Sequence, residues 1–240
     1  MNRSLLPIAF CASTWVACSA STETAVQQPD DGSTPTNTGR TGPSVGVEAE
    51  VGAMNEAAVT SAFQKASTGM LGCLKKASSR LPYISGVAAV YVRVDSAGSV
   101  KYTFMKRSSL GDHETEQCML DVIRKQSWPA PVGGKEGFAE NELTFDPPDR
   151  VRMPVTWSEG DAGKGVDDAK KVLASCKSKT SSGKLTATLY VETDGSVLAA
   201  GVSGEQAGTA EAGRCVADGL KSVKLGSPGS FAAKLTLTSD

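Results

Sequence analysis

Two stretches of this chain align with each other without a gap. In the first, Val90-Tyr91-Val92-Arg93-Val94-Asp95 leads to Gly98-Ser99-Val100, and Cys118 then opens Met119-Leu120-Asp121-Val122-Ile123. In the second, Ala187-Thr188-Leu189-Tyr190-Val191-Glu192 leads to Gly195-Ser196-Val197, and Cys215 opens Val216-Ala217-Asp218-Gly219-Leu220. Gly98 and Gly195 stand 97 residues apart, as do Cys118 and Cys215, whereas the earlier cysteines, Cys73 and Cys176, stand 103 apart. The difference falls in one loop, Ser78 to Ser85, which the second copy shortens to Thr180-Ser181-Ser182. Constant elements joined by a loop of variable length are the signature of one fold used twice.

Residue period assigns the elements of each copy. Ala88, Val90, Val92 and Val94 alternate with Ala89, Tyr91, Arg93 and Asp95, and Val100, Tyr102 and Phe104 alternate after a turn at Ser96-Ala97-Gly98, which predicts a hairpin. Ala58, Phe63, Ala66, Met70, Leu71 and Leu74 recur at helical spacing before it, and Asp112 caps a second helix carrying Cys118, Met119, Val122 and Ile123. Trp128-Pro129-Ala130-Pro131 ends that helix, because proline has no amide donor and pushes its predecessor toward extended geometry. A closing strand is predicted at Glu142 to Phe145. The second copy runs from a helix at Val166 to Lys177, through the hairpin at Asp194-Gly195, to a helix at Ala210 to Val223 and a strand from Phe231 to Thr238. Apolar stretches at Val45 to Val51 and Val151 to Trp157 add a leading strand to each. The expected class is α+β, two tandem (β)αββαβ modules, each with an antiparallel sheet.

The chain carries six cysteines. Cys11 sits in an N-terminal apolar run and Cys18 at its end, which leaves Cys73, Cys118, Cys176 and Cys215 and three possible connectivities. Pairing Cys73 with Cys118 and Cys176 with Cys215 ties first helix to second in the same way in both copies. Each bond then closes a loop of roughly 40 to 45 residues, worth about 4 kcal/mol by chain entropy. Metal binding is disfavoured, because no close Cys or His pairs occur and the chain has one histidine, His113.

Arg3 followed by the apolar stretch Leu5 to Ala12 reads as an export signal, too short to cross roughly 30 Å of hydrocarbon as a permanent helix. It ends at Trp15-Val16-Ala17-Cys18, which resembles a bacterial lipobox with Trp15 in place of the usual leucine. That resemblance implies a diacylglycerol on Cys18 and, with Ser19 following, the outer membrane, periplasmic or surface-facing. The alternative is a plain secretory peptide cut after Ala17 or Ala20, giving a soluble periplasmic or secreted protein. Residues 19–44 are Ser, Thr, Gly, Pro, Gln and Asp with little that is apolar, a composition expected to form a disordered tether with an r.m.s. reach of about 25 to 30 Å. The expected organisation is thus signal 1–18, tether 19–44, module 45–148 and module 149–240.

Charge and motifs narrow the function. Lys plus Arg total 25 against 26 Asp plus Glu, so no broad basic field exists to hold nucleic acid. His113 is expected at the exposed first turn of a helix, and no Gly-x-Ser-x-Gly elbow accompanies it. Ser181-Ser182-Gly183-Lys184 matches S-x-x-K without companion motifs, and Gly160 to Gly165 is too short for a P-loop and reads as a linker. Asp167 and Asp168 stand where carboxylates stabilise exposed helix amides. No catalytic residue, cofactor or metal is expected. The exposed-ledge candidate is Trp128, Pro129 and Pro131, an aromatic beside prolines; the competing expectation is that Trp128 plugs the core where Leu225 sits in the second copy.

The order of helix with Cys, hairpin with Gly turn, helix with Cys, Trp-Pro-x-Pro-x-Gly-Gly and closing strand resembles the C-terminal domain of the myxobacterial AgmX/PglI family, itself similar to the C-terminal domains of TonB and TolA. Cys73, Gly86, Val90, Val92, Gly98, Val100, Ser108, Cys118, Trp128, Pro129, Pro131, Gly133, Gly134 and Phe145 carry it. The second copy keeps Cys176, Gly195, Cys215 and Pro228 but loses the Trp-Pro pair. The resemblance implies TonB-C-terminal-like periplasmic modules that bind envelope proteins, often by adding a partner strand to a sheet edge. The expected function is therefore a non-enzymatic adaptor or structural subunit of an envelope assembly for motility, secretion or transport. A peptidoglycan- or glycan-binding module and a hydrolase of unrecognised type are the alternatives.

Overall fold

The computed structural model describes residues 51–147 and 149–239; the expected signal, Cys18, the tether and most of the first leading strand lie outside the described residues. In the first half, α1 (Glu56–Ala77) is followed by the hairpin β1 (Gly86–Val94) and β2 (Val100–Ser108), then α2 (His113–Arg124) and β3 (Gly137–Phe145). The second half runs β4 (Val155–Trp157), a short α3 (Glu159–Ala162), α4 (Val166–Thr180), β5 (Leu185–Val191), β6 (Val197–Gly204), α5 (Thr209–Leu220) and β7 (Ala233–Thr238). The strand orders are β2-β1-β3 and β4-β7-β5-β6. With β6 matched to β2, β5 to β1 and β7 to β3, the two halves share one topology.

The periods assigned above explain the faces. In α1 the buried residues Phe63, Ala66, Met70, Cys73 and Ala77 form one stripe at three- and four-residue steps, and Asn55 caps the helix by accepting the Ala58 amide. Leu71 falls off the stripe and is 56% exposed. In α4 the same stripe is Val166, Ala169, Leu173 and Cys176. Ala88, Val90, Val92 and Val94 face the helices in the first half, as Leu185, Ala187, Leu189 and Val191 do in the second. Each buried Val or Leu among these contributes roughly 1.5 to 3 kcal/mol relative to exposure.

Both disulfides form as the repeat implied. Cys73–Cys118 joins α1 to α2 with the Cα atoms 5.9 Å apart, and Cys176–Cys215 joins α4 to α5 at 5.7 Å. The hairpin turns match as well. Gly98 and Gly195 have φ of +86° and +83°, and a Cβ on either would lie 2.6 Å from the Trp128 carbonyl oxygen or 2.3 Å from that of Leu225. Glycine is required twice for the same reason, and Trp128 and Leu225 stand in corresponding places.

Four elements differ from expectation. β3 starts at Gly137, five residues early, because Glu140, Asn141 and Glu142 hide its alternation while β1 supplies an unbroken partner from Gly86 to Val94. β4 starts at Val155, after Pro154, whose missing amide ends the ladder, and runs parallel to β7. Of the first leading strand, Val51 forms a parallel bridge to Glu136. The stretch read as a linker at Gly160 to Gly165 holds the helical turn α3, fixed by a reciprocal capping box between Ser158 and Asp161.

Candidate functional site

The helices cover one face of each sheet, so function has three places to reside: the junction of the halves, the sheet edges and the uncovered sheet faces. The six-residue loop difference shapes the first. Loop 78–85 leaves α1, with Arg80 holding both oxygens of Asp112, the buried N-cap of α2, at 2.8 and 2.5 Å. Beyond it, Leu81, Tyr83 and Ile84 form a separate apolar cluster with Tyr190, Ala199 and Ala232 of the second half. Tyr83 packs on Tyr190 with ring centroids 5.2 Å apart, and the Lys234 ammonium lies over the Tyr190 ring while donating to the Ser85 carbonyl at 3.0 Å. Burial lowers the Lys234 pKa to about 8 and raises that of Tyr190. The extra length in the first copy is thus what covers the second copy's outer sheet face around Tyr190.

Glu116, in the first turn of α2, is the other binding element of the junction. Its carboxyl is fully buried, receives the Val202 amide at 2.8 Å and lies 2.6 Å from the Ser108 hydroxyl. A Cβ at Gly201 would lie 2.2 Å from its Oε1, so the neighbouring strand must be bare there. Desolvation raises its pKa from an ordinary 4.5 to about 8, against the opposing pull of both hydrogen bonds. His113 is half-buried rather than exposed as expected, since it packs against Gly213 of α5; burial and Arg214 lower its pKa.

The edges are asymmetric. In the second half the outer side of β7 is taken by β4 through Ala233 to Leu235. In the first half β3 has a strand neighbour on one side, β1, and among the described residues its other side is met at Glu136 alone, by Val51 and Gly52. The remaining edges, β2 and β6, lie against each other across the junction without forming a ladder.

The outer face of the first sheet carries aligned rows. Tyr91 is flanked by Phe104 on β2 and Glu140 on β3, Arg93 by Tyr102 and Phe138, and Ala89 by Arg107 and Glu142. Tyr91 stacks on Phe104, Phe138 and Tyr102 at 4.8, 5.6 and 6.1 Å with interplanar angles of 21°, 7° and 11°.

The residues singled out from sequence separate clearly. Trp128 is 7% exposed, meets Phe63 edge-on at 4.9 Å and donates to the Ile123 carbonyl, so it plugs the core and is not a surface ledge. Pro131 is buried and Pro129 half-buried, which withdraws the rest of the expected ledge. Asp112 caps α2, and Asp167 and Asp168 occupy the first turn of α4, as expected. Ser181 ends α4 in the left-handed region. Among the described residues, no group of three His, Cys, Asp or Glu could hold a metal ion, and no helix is long and apolar enough to cross a membrane. Glu116 escaped sequence reading because a glutamate in a helix's polar first turns reads as solvated; its repeat counterpart, Gly213, gave no hint of a carboxyl site. Phe138 escaped it because the alternation of β3 was masked.

Comparison of the chain with protein-family models, curated proteins and solved structures returns no match.

Proposed function

We propose that this chain is an outer-membrane lipoprotein, anchored through Cys18, that serves as a non-enzymatic adaptor or structural subunit of an envelope assembly, its two modules being of the TonB-C-terminal type. The observation that carries the binding role is the open edge of β3 beside its closed counterpart in the second half. An uncapped row of backbone donors and acceptors is a template for a partner strand. The two disulfides fit an oxidising compartment, and the lipobox-like Val16-Ala17-Cys18 supplies the anchor.

A photo-crosslinking residue at Thr144, on β3, should yield a discrete protein adduct in intact cells, while the same residue at Thr236, on β7 of the second half, should not. Equal labelling at both, or none at either, would remove the edge from consideration. Intact mass of the protein from native membranes should show a diacylglycerol on Cys18; an unmodified thiol would refute the anchor.

A further inference from the structure

We infer that the outer face of the first sheet binds an uncharged, hydroxyl-rich oligosaccharide, with Tyr91, Tyr102 and Phe138 as the stacking platform and the adjoining inter-half groove as the polar channel. Phe138 is 45% exposed and Tyr91 and Tyr102 are half-buried, so part of each ring reaches solvent. One row further along the strands the platform passes into a groove of about 820 Å³ between the sheets, within the roughly 300 to 1,000 Å³ usual for ligand sites. Its first-half wall is the ion-paired ladder Lys106–Glu140 and Arg107–Glu142, and its second-half wall carries the hydroxyls of Thr186, Ser203 and Thr236 together with the oppositely charged Lys184 and Glu205.

Three properties select a neutral sugar. The exposed apolar surface of the platform is aromatic, which suits the C–H face of a pyranose. The bordering Lys, Arg and Glu side chains are engaged with one another: Arg93 and Lys101 share Glu136, and Lys106–Glu140 and Arg107–Glu142 are closed pairs. Two cations on one carboxylate leave a single positive charge, and Lys184 and Glu205 in the groove offset each other, so little net charge is left to attract a polyanion. The groove presents donors, acceptors and hydroxyls in alternation, the complement of a chain of sugar hydroxyls and amides. The equivalent face of the second half is filled at Tyr190 by loop 78–85, and among the described residues nothing covers it in the first.

The test is a heteronuclear NMR titration of the purified chain with chitohexaose and, separately, cellohexaose, with co-sedimentation on purified peptidoglycan sacculi to tell a cell-wall source from another glycan. Saturable shifts at β1 and β3 with either hexaose, weakened about tenfold or more by Phe138→Ala, are expected. Glu140→Gln, which breaks the ladder at an exposed position, should weaken binding while leaving the thermal midpoint unchanged. Absence of saturable binding to both sugars and to sacculi overturns the inference, as does binding that Phe138→Ala leaves intact. A protein adduct from a photo-crosslinker at position 138, with no sugar-induced shifts, would assign the face to a protein instead. Failure of the β3-edge crosslink leaves these outcomes unaffected.

Discussion

A carboxyl buried without a cation is far costlier ionised than neutral. Neutral Glu116 keeps both contacts, the 2.6 Å one with the Ser108 hydroxyl and the one from the Val202 amide. Because its pKa is about 8 in the folded chain and near the usual 4.5 when unfolded, the folded state binds the proton more tightly. Its contribution is fully present below about pH 4.5 and is lost as pH rises through about 8. Glu116→Gln should therefore flatten the decline in denaturant midpoint between pH 5 and 8 and exceed the wild type at pH 8 by an amount on the order of 3 to 5 kcal/mol. A wild-type midpoint that does not fall over this window would contradict the buried carboxyl. Lys234, depressed to about 8, acts oppositely above that pH, so the comparison belongs below it. Trp128→Ala should cost roughly 3 to 5 kcal/mol, as for a core aromatic. Loss of partner binding at unchanged stability would instead restore Trp128 to the surface.

Paired elements behave alike where the repeat is strict and differ where it is broken. The disulfides close loops with sequence separations of 45 and 39 residues, so replacing both cysteines of either bond by serine should lower stability by about 2 to 4 kcal/mol in each half. Chemical denaturation of the two double variants measures this, and a large inequality would mean that one half leans on the other for its stability. The strand assignments were legible because alternation in β1 and β5 is sharp and each turn carries an obligatory glycine. β3 was underestimated because its outward residues are charged and partnered across the sheet, a pairing that depends on which strand lies alongside. The capping box of α3 was readable in Ser158 and Asp161 but was outweighed by three glycines in six residues.

At the scale of the molecule the halves are joined by the Tyr83–Tyr190 cluster and by Glu116. Native-state hydrogen exchange should show the amides of β1 and β5 opening with the same free energy, and Tyr83→Ala should lower both together by about 2 to 4 kcal/mol. Protection lost from β5 alone would show that the second half opens independently. What the sequence by itself determined is the duplicated unit: its helix and strand periods, its turn glycines and its cysteine pairing are local or repeat themselves at a constant offset, and such signals survive without knowledge of any neighbour. What the tertiary structure alone decided is everything that needs both copies in place: a loop insertion that becomes a wedge, a glutamate that becomes a buried acid, an open edge beside a closed one and an aromatic face left uncovered. Those properties arise from the desolvation and packing that one copy imposes on the other, and no window of either copy's sequence contains them.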